Sequence, residues 1–355
     1  MKKWDYRAAL VLVVLAAFAL IAAWPRITSA SGGQTNQERP LPKGGRIMVR
    51  NQSGAITIRG WEKDTVRAVT SGHDGEGSVR IEEDSSGLNI SPDLAHRRSS
   101  SELDLVIDVP KSARIDSANT ADGDVTVSDV SGSVTVSSGH GQIKADRTGP
   151  LSATTGAGEI DVSNVSGTAT LQTGGGDVKA TSITGNASVT SGSGDVQTSD
   201  TGSLKVRTGG GDINAIRTKG SATIETSSGD VTIRDLGGDF VGRVTSGDVH
   251  LENVGGLVNL SMTSGDVSVI HPAGDVKIAS ISGGIDVKCA GGNVEVGTAD
   301  GEITLTGIAG DVDAKSTSGD VSFVGAIRTK GRYLLKSISG GVSMSIQADT
   351  PGFTA

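Results

Sequence analysis

The sequence predicts an all-β protein: a parallel β-solenoid (β-helix) with two short strands in each coil of about 18 residues, preceded by an N-terminal transmembrane or signal helix. Three observations lead to this prediction. Glycine recurs every nine residues over most of the chain, apolar and polar residues alternate after each glycine, and consecutive nine-residue units alternate in kind. Short, regular periods are typical of stacked repeats, in which no single unit can bury its own apolar face.

The first predicted element is an apolar helix near the N-terminus. Lys2, Lys3 and Arg7 precede the segment 8–24, which contains no charged residue. A positive flank before an apolar segment keeps that flank in the cytoplasm, and the length of the segment is at the lower limit of a membrane span. Residues 1–30 are therefore predicted to be a signal peptide or an N-terminal membrane anchor, with the retained anchor favoured. The residues expected to contact the membrane are Ala8, Leu10, Val14, Phe18 and Trp24.

The next two segments connect this helix to the regular repeat. Residues 31–43 are polar and rich in small residues, which is typical of a flexible tether. Residues 44–118 contain strand patterns without a constant period, and we expect an irregular β section that starts the solenoid and caps it. A cap is needed because the open edges of strands at the end of a stack promote end-to-end association.

The regular repeat occupies residues 119–348 and leaves a C-terminal tail at 349–355. Its marked glycines run from Gly123 to Gly340, and 21 of their 24 intervals are nine residues long. Two and four positions after the glycine the residue is apolar, and the position between is polar, as in Val231, Thr232 and Ile233. Alternation with period two predicts a strand with one buried face. Glycine would supply the positive φ that the tight turn between strands requires.

Alternate units form two classes, so the true repeat is a pair of nine-residue units. The units that begin at Gly123, Gly141 and every second mark thereafter have Val or Ile two residues after the glycine in all thirteen cases, and an acid directly after it in ten. An open meander of this size is disfavoured because twisted sheets rarely exceed about ten strands. A membrane barrel needs strands of about 9–11 residues. Two strands that face each other in coils stacked about 4.8 Å apart satisfy the pattern.

Composition excludes several classes of function. The chain of 355 residues has 52 glycines, 3% aromatic residues and a net charge of −8. The negative charge argues against a nucleic-acid partner, and the lack of aromatic residues argues against large ring-lined pockets. Cys289 is the only cysteine, so an intramolecular disulfide is impossible. We expect Cys289 to be a small strand residue rather than a reactive thiol.

The sequence resembles a bacterial family of putative adhesins with β-strand repeats, an adhesin-like domain of unknown function. The matching passages are residues 46–68, residues 103–127 and the Ser-Gly-Asp-Val units after them, so the resemblance covers about 45–348. It implies an exported, membrane-associated β-solenoid with an adhesive or scaffolding role. The family has no established catalytic residues, so the resemblance assigns none here.

The acids after the glycines are the strongest candidate site, because stacking would place them in one column. Two hypotheses remain open for this column: each Asp accepts a local backbone N–H and stabilises its own turn, or the column binds a cation, with Ca²⁺ favoured as an oxygen-seeking ion. The residues concerned are Asp177, Asp195, Asp212, Asp230, Asp248 and Asp266.

No catalytic, cofactor or other metal site is predicted. The glycines at 174–176 and 209–211 precede no Gly-Lys-Ser/Thr, as a phosphate loop would require. The histidines have no metal-binding spacing. We therefore expect a non-enzymatic, extracytoplasmic, membrane-tethered adhesin or envelope scaffold, with its bulk periplasmic or at the cell surface, or secreted if the signal is cleaved. Its expected partners are the bacterial membrane and a cell-surface polymer or envelope protein. A polysaccharide-active β-helix enzyme and an envelope-stress sensor remain alternatives, and the oligomeric state stays open.

Overall fold

We describe a computed structural model of the chain, in which residues 36–72, 78–85, 87–93 and 102–346 are described. All regular secondary structure in these ranges is β-strand. Within the same ranges, no helix has the length and hydrophobicity of a membrane span. The helix predicted at residues 8–24 lies outside the described residues.

The strands of the regular region form two sheets, which we call the front sheet and the back sheet. The front sheet contains the strands of the units that begin at Gly123, Gly141 and every second mark thereafter: β9 (Val125–Val130), β11 (Ile143–Thr148), β13 (Ile160–Val165), β17 (Ile213–Thr218), β19 (Val231–Leu236), β21 (Val249–Val254), β23 (Val267–Ile270), β25 (Ile285–Lys288), β27 (Ile303–Thr306), β29 (Val321–Gly325) and β31 (Val342–Ile346). The back sheet contains the intervening strands: β8 (Arg114–Thr120), β10 (Val134–Ser138), β12 (Leu151–Thr155), β14 (Ala169–Thr173), β18 (Ala222–Ser228), β20 (Phe240–Ser246), β22 (Val258–Ser264), β24 (Val276–Ser282), β26 (Val294–Asp300), β28 (Val312–Ser318) and β30 (Tyr333–Ser339). Two longer strands, β15 (Val178–Ser191) and β16 (Val196–Thr208), pass through the corner and contribute to both sheets.

The predicted parallel solenoid is confirmed. Each strand pairs in parallel with the strand of the same class one coil away, as β19 does with β17 and β21. Val231 lies opposite Ile213 on one side and Val249 on the other, so like residues stack on like. About 13 turns of about 18 residues follow one another in this way.

The space between the two sheets is the core. The Val or Ile two positions after the glycine of each front-sheet unit is at most 2% exposed in every coil except the last, where Val342 is 50% exposed. The largest fully buried side chains are Phe240 and Phe323. Branched aliphatic residues fill most of this layer because the facing sheets leave little depth for rings.

The first deletion and the single insertion lie in turns, which preserves the register of the strands; the second deletion lies at the corner inside β16, where the pairing with β15 shifts between Ile183 and Asn186. Val134 lies opposite Leu151, a step one residue shorter than the usual coil, and Val321 lies opposite Val342, a step three residues longer. The missing residue falls in the turn before Leu151, and the extra residues fall in the loop 326–332. Alignment of the inward side chains therefore determines the register, because a slip by one residue would turn every core side chain outward.

The N-terminal section does not follow the order of the chain. Its strands are β1 (Asn36–Pro40), β2 (Arg46–Arg50), β3 (Ile56–Trp61), β4 (Thr65–Gly72), β5 (Ser78–Asp84), β6 (Gly87–Asp93) and β7 (Leu103–Pro110). The coil made by β2 and β3 lies between the coil of β6 and β7 and the coil of β8 and β9. Antiparallel strands then extend this end: β4 pairs with β7, β1 with β4, and β5 with β6.

Candidate functional site

The six predicted aspartates do form one column along the turns that enter the front sheet. Oδ1 of Asp177 accepts the backbone N–H of Asp195 at 2.8 Å, and Oδ1 of Asp195 accepts that of Asp212 at 2.8 Å. The same bond continues to Gly284 at 2.8–2.9 Å. Each carboxylate thus binds the turn of the next coil, whereas the sequence suggested a bond within its own turn. The column links coils to one another.

The cation-binding hypothesis for this column stays a prediction. A shallow groove of about 190 Å³ runs beside it, lined among others by Asp161, Lys179 and Gln197. Among the residues that the structure describes, no group of three or more His, Cys, Asp or Glu side chains is arranged to hold a metal ion. The geometry assigns the Oδ1 atoms to backbone N–H groups, which is a structural role.

A second ladder, on the opposite turns, was not predicted from the sequence. Oδ1 of Asp275 accepts the N–H of Asn293 at 2.8 Å, and Oδ1 of Asn293 accepts that of Asp311 at 2.9 Å. Asp239 makes the same bond to Leu257 at 2.9 Å. The sequence pattern that could have predicted this ladder is an Asp or Asn directly after the glycine of the intervening units. The pattern is weak because other residues occupy that position in several units.

Buried hydroxyl groups form a third ladder, at the end of the back-sheet strands. Thr173 Oγ1 donates to the carbonyl of Gly158 at 2.9 Å and accepts the N–H of Gly176 at 3.0 Å. Thr155 makes the equivalent pair of bonds with Gly141 and Gly158. The sequence signal is a Ser or Thr three residues before the glycine that begins a front-sheet unit, and only Val244 and Met262 interrupt it. These hydroxyls satisfy the backbone of turns that would otherwise be buried without partners.

In the front-sheet units from Gly123 to Gly301, one corner residue near the end of the strand has a left-handed conformation, and most of these corner residues are not glycine. The positions, with φ between 51° and 59°, are Asp129, Arg147, Asn164, Ser182, Asp200, Arg217, Asp235, Asn253, His271 and Cys289. The expectation that glycine supplies positive φ is therefore only partly right. At Gly247 the backbone requires glycine, since φ is 125°. At Gly194 glycine is required for lack of space, because a β-carbon there would lie 2.0 Å from the carbonyl oxygen of Gly176.

The left-handed residue changes which side chains point inward. The left-handed residue lies six positions after the glycine that begins the front-sheet unit. The side chain of the residue after it points into the core, as those of Leu236 and Val254 do. Simple alternation would place the sixth residue inside and the seventh outside. The corner thus adds a third buried residue to each front-sheet unit from Gly123 to Gly301.

Ion pairs connect the corner residues of some neighbouring coils. Arg147 Nε lies 2.7 Å from Asp129 Oδ1, and Arg217 Nε lies 2.7 Å from Asp200 Oδ1. These hydrogen bonds are the main reason why the pKa values of Asp129 and Asp200 are lowered. Because more than a third of each of these four side chains is in contact with solvent, each pair adds little stability.

A family model matches residues 28–240 and 243–354 of the chain, which is most of its length. The chain belongs to the Toastrack DUF4097 family. This agrees with the resemblance seen in the sequence. The description of the family names no activity and no ligand, so the function of this Toastrack chain has to be argued from its own residues.

Solved structures similar to this Toastrack chain share little sequence with it. A putative cell adhesion protein from Clostridium sporogenes is 12% identical, with 64% of this chain and 98% of that chain covered and a TM-score of 0.21. Putative adhesins from Bacteroides fragilis (11% identical, 87% and 95% covered, TM-score 0.20) and Parabacteroides distasonis (12% identical, 87% and 97% covered, TM-score 0.20) are comparable. No curated protein matches the chain.

Cys289 differs from its expected place. It lies just after β25 ends at Lys288, in the left-handed corner with φ of 54°, and its side chain is exposed. The prediction of a small strand residue is therefore wrong. The alternating pattern before it continued to the last strand residue, and nothing in the sequence marked the corner.

The described histidines of this Toastrack chain do not converge. His140 Nδ1 lies 2.8 Å from Asp122 Oδ1 at an exposed turn, and His250 and His271 lie on different coils. His73 and His96 lie outside the described residues.

Proposed function

We propose that this chain is a non-enzymatic, extracytoplasmic β-solenoid, tethered to the bacterial membrane by residues 8–24, that acts as an adhesin or envelope scaffold. One observation supports the proposal most directly: polar side chains on the outer faces stand in register from coil to coil. On the front sheet, Asp161 lies opposite Lys179, and Lys179 lies opposite Gln197. We call such a row of register partners on successive coils a rank. Its residues lie about 4.8 Å apart, a regular spacing that suits contact with a repeating polymer.

Many weak contacts would supply the affinity. A single exposed ion pair or hydrogen bond contributes at most about 1 kcal/mol. Contacts held on one rigid stack act together, because the first contact raises the effective concentration of the next. The ladders of backbone and carboxylate bonds keep the coils in register and so preserve the spacing of the ranks.

The test is binding of the full-length chain, held in detergent micelles, to immobilised bacterial surface polysaccharides. We expect saturable, reversible retention and no shortening of the polymer. A chain unfolded by heat is the control, since it has the same composition without the ranks. Shortening of the polymer would instead identify an enzyme. Lack of retention on every surface polymer would leave an envelope scaffold or a sensor as the function.

The location can be tested with the single thiol. Cys289 is exposed, so a membrane-impermeant maleimide added to intact cells or to spheroplasts should label it if the solenoid lies outside the cytoplasmic membrane. The variant Cys289→Ser shows the background. Labelling that requires lysed spheroplasts would contradict an extracytoplasmic location.

A further inference from the structure

A shallow groove crosses the outer side of the back sheet near the middle of the stack. Its volume is about 390 Å³. Four of the residues that line it, Thr190, Arg207, Glu225 and Arg243, are register partners on four consecutive coils. With coils about 4.8 Å apart, this rank is about 14 Å long. The groove therefore runs along the stack and across the strands, as an extended ligand would lie.

Positive charge exceeds negative charge in this groove. Arg207 holds Glu225 with both arms of its guanidinium, Nε to Oε2 at 2.8 Å and Nη2 to Oε1 at 3.3 Å. Arg243 is the next exposed residue in the rank, and the described part of the chain offers it no ion pair. The hydrogen bond from Arg207 lowers the pKa of Glu225 most, and the charges of Arg207, Lys205 and Arg243 lower it further. Two arginines and one glutamate therefore line this groove, in a chain with a net charge of −8.

Uncharged polar groups extend the rank on both sides. Towards the N-terminus it continues from Thr190 through Gln172 to Thr154, and towards the C-terminus it continues to Ser261. No aromatic ring lines the groove, so stacking on a sugar or a base has no platform there. Hydroxyl and amide groups next to unneutralised guanidinium suit a ligand that is rich in hydroxyls and carries anions. A planar carboxylate matches the fork of an arginine.

We propose that this groove binds an acidic polysaccharide of the cell surface, with a carboxylate of the polymer on Arg243 and neighbouring sugar hydroxyls on Thr190 and Glu225. The proposal rests on the proposed function and specifies its ligand class and its place of contact. Glu225 occupies Arg207 and repels the polymer, so it limits the affinity of each site. Binding at such an exposed surface weakens as salt rises.

The experiment measures binding of polygalacturonate to the immobilised full-length chain in detergent micelles, by biolayer interferometry at low and high salt. Fully methyl-esterified polygalacturonate has the same backbone without the charge and is the ligand control. Arg243→Gln should weaken binding about threefold to tenfold, the loss of one charged contact. Glu225→Gln should strengthen it, because Arg207 is released and a repulsive charge is removed.

Arg234→Gln is the matched control variant. Arg234 lies on the front sheet and is paired at 3.4 Å with Glu252, so removing its charge should leave polygalacturonate binding unchanged. Circular dichroism and thermal unfolding establish that each variant keeps its fold. Opposite effects of Arg243→Gln and Glu225→Gln cannot arise from a general loss of structure.

Different failures point to different conclusions. If polygalacturonate binds and Arg243→Gln has no effect, or if the esterified polymer binds equally well, the groove is wrong and the proposed function stands. Stronger binding of poly(glycerol phosphate) than of polygalacturonate at equal charge would overturn the assignment of a carboxylate ligand. Lack of retention on acidic and neutral surface polymers alike would contradict both the groove and the adhesive role, and would leave an envelope scaffold or a sensor.

Discussion

The two ends of the stack differ in how their strands are covered. At the N-terminal end, antiparallel strands lie against the outermost parallel coil in both sheets. In the last coil, β30 and β31 have partners on one side only within the described residues. Apolar side chains are exposed there: Ile338 is 71%, Val342 50% and Met344 38% exposed, whereas Val321, one coil earlier, is buried.

This difference shows that the burial of a side chain in a solenoid depends on whether its coil has a neighbouring coil on both sides. Val321 and Val342 occupy the same place in the repeat and are register partners. The first has a coil on each side and the second has one. In stacked repeats each unit contacts only the units next to it, so the same side chain stabilises an interior coil more than a terminal one.

The largest expected effect comes from the close contact of turns between interior coils. In Gly176→Ala the new β-carbon would lie 2.1 Å from the carbonyl oxygen of Gly158, so the two coils must separate. We expect the free energy of unfolding to fall by about 3 kcal/mol or more, which a lower midpoint of urea unfolding would show.

Its matched control is the adjacent glycine. At Gly175 a β-carbon meets only Ser193 Oγ, at 3.9 Å, so Gly175→Ala should leave the midpoint nearly unchanged. Equal effects of the two substitutions would show that the turns of interior coils are not in contact as described.

The second prediction compares register partners directly. Val321→Ala removes buried methyl groups and should cost about 2 kcal/mol in the free energy of unfolding. Val342→Ala removes the same groups where half of the side chain is already in water, and should cost less than about 1 kcal/mol. Equal costs in urea unfolding would mean that the last coil is covered in solution.

The third prediction concerns the left-handed corner, which recurs from Asp129 to Gly307 but is missing at the corresponding positions of the last two described coils, Gly325 and Ile346. At Cys289 a β-carbon in this conformation costs about 1 kcal/mol. Cys289→Gly relieves that cost but gains chain entropy when unfolded. We expect a net stabilisation of about 0.5 kcal/mol in thermal unfolding, and no change for Cys289→Ser. Destabilisation by glycine would contradict the assigned backbone.

The smallest expected effect is a response to acid in the ion-paired coils. Hydrogen bonds from arginine lower the pKa values of Asp129 and Asp200 in the folded chain. Their contribution to stability is present above the unfolded pKa of about 3.9 and is lost as the pH falls through the lower folded value. The urea midpoint should be constant from pH 7 to about pH 5 and decline below about pH 4.

Two comparisons make the acid response specific. Asp200→Asn should remove part of the decline, because its pair with Arg217 no longer depends on ionisation. In hydrogen exchange, acid should loosen the corner near Asp200 more than β31, which has no ionisable side chain. A decline between pH 7 and pH 5 would assign the response to groups other than these aspartates.

The sequence was sufficient for the fold of the repeat and for the position of the aspartate column. The glycine interval defined the coil, and Val or Ile at the second position, as in Val231 and Val249, identified the inward face. It was insufficient for the partner of each aspartate and for the basic groove on the back sheet. Arg207, Glu225 and Arg243 are each one full repeat apart along the chain, and they become neighbours only because coils stack.

The sequence by itself determined the period, the buried face and the places where the chain must turn, because these depend on residues that are close along the chain. Only the tertiary structure decided that the coil of β2 and β3 lies between two later coils, that Cys289 and its equivalents adopt a left-handed corner, and that the two ends differ in cover. These features depend on which coils become neighbours. They arise from contacts between residues that are far apart along the chain, and a pattern of residues close in sequence does not specify such contacts.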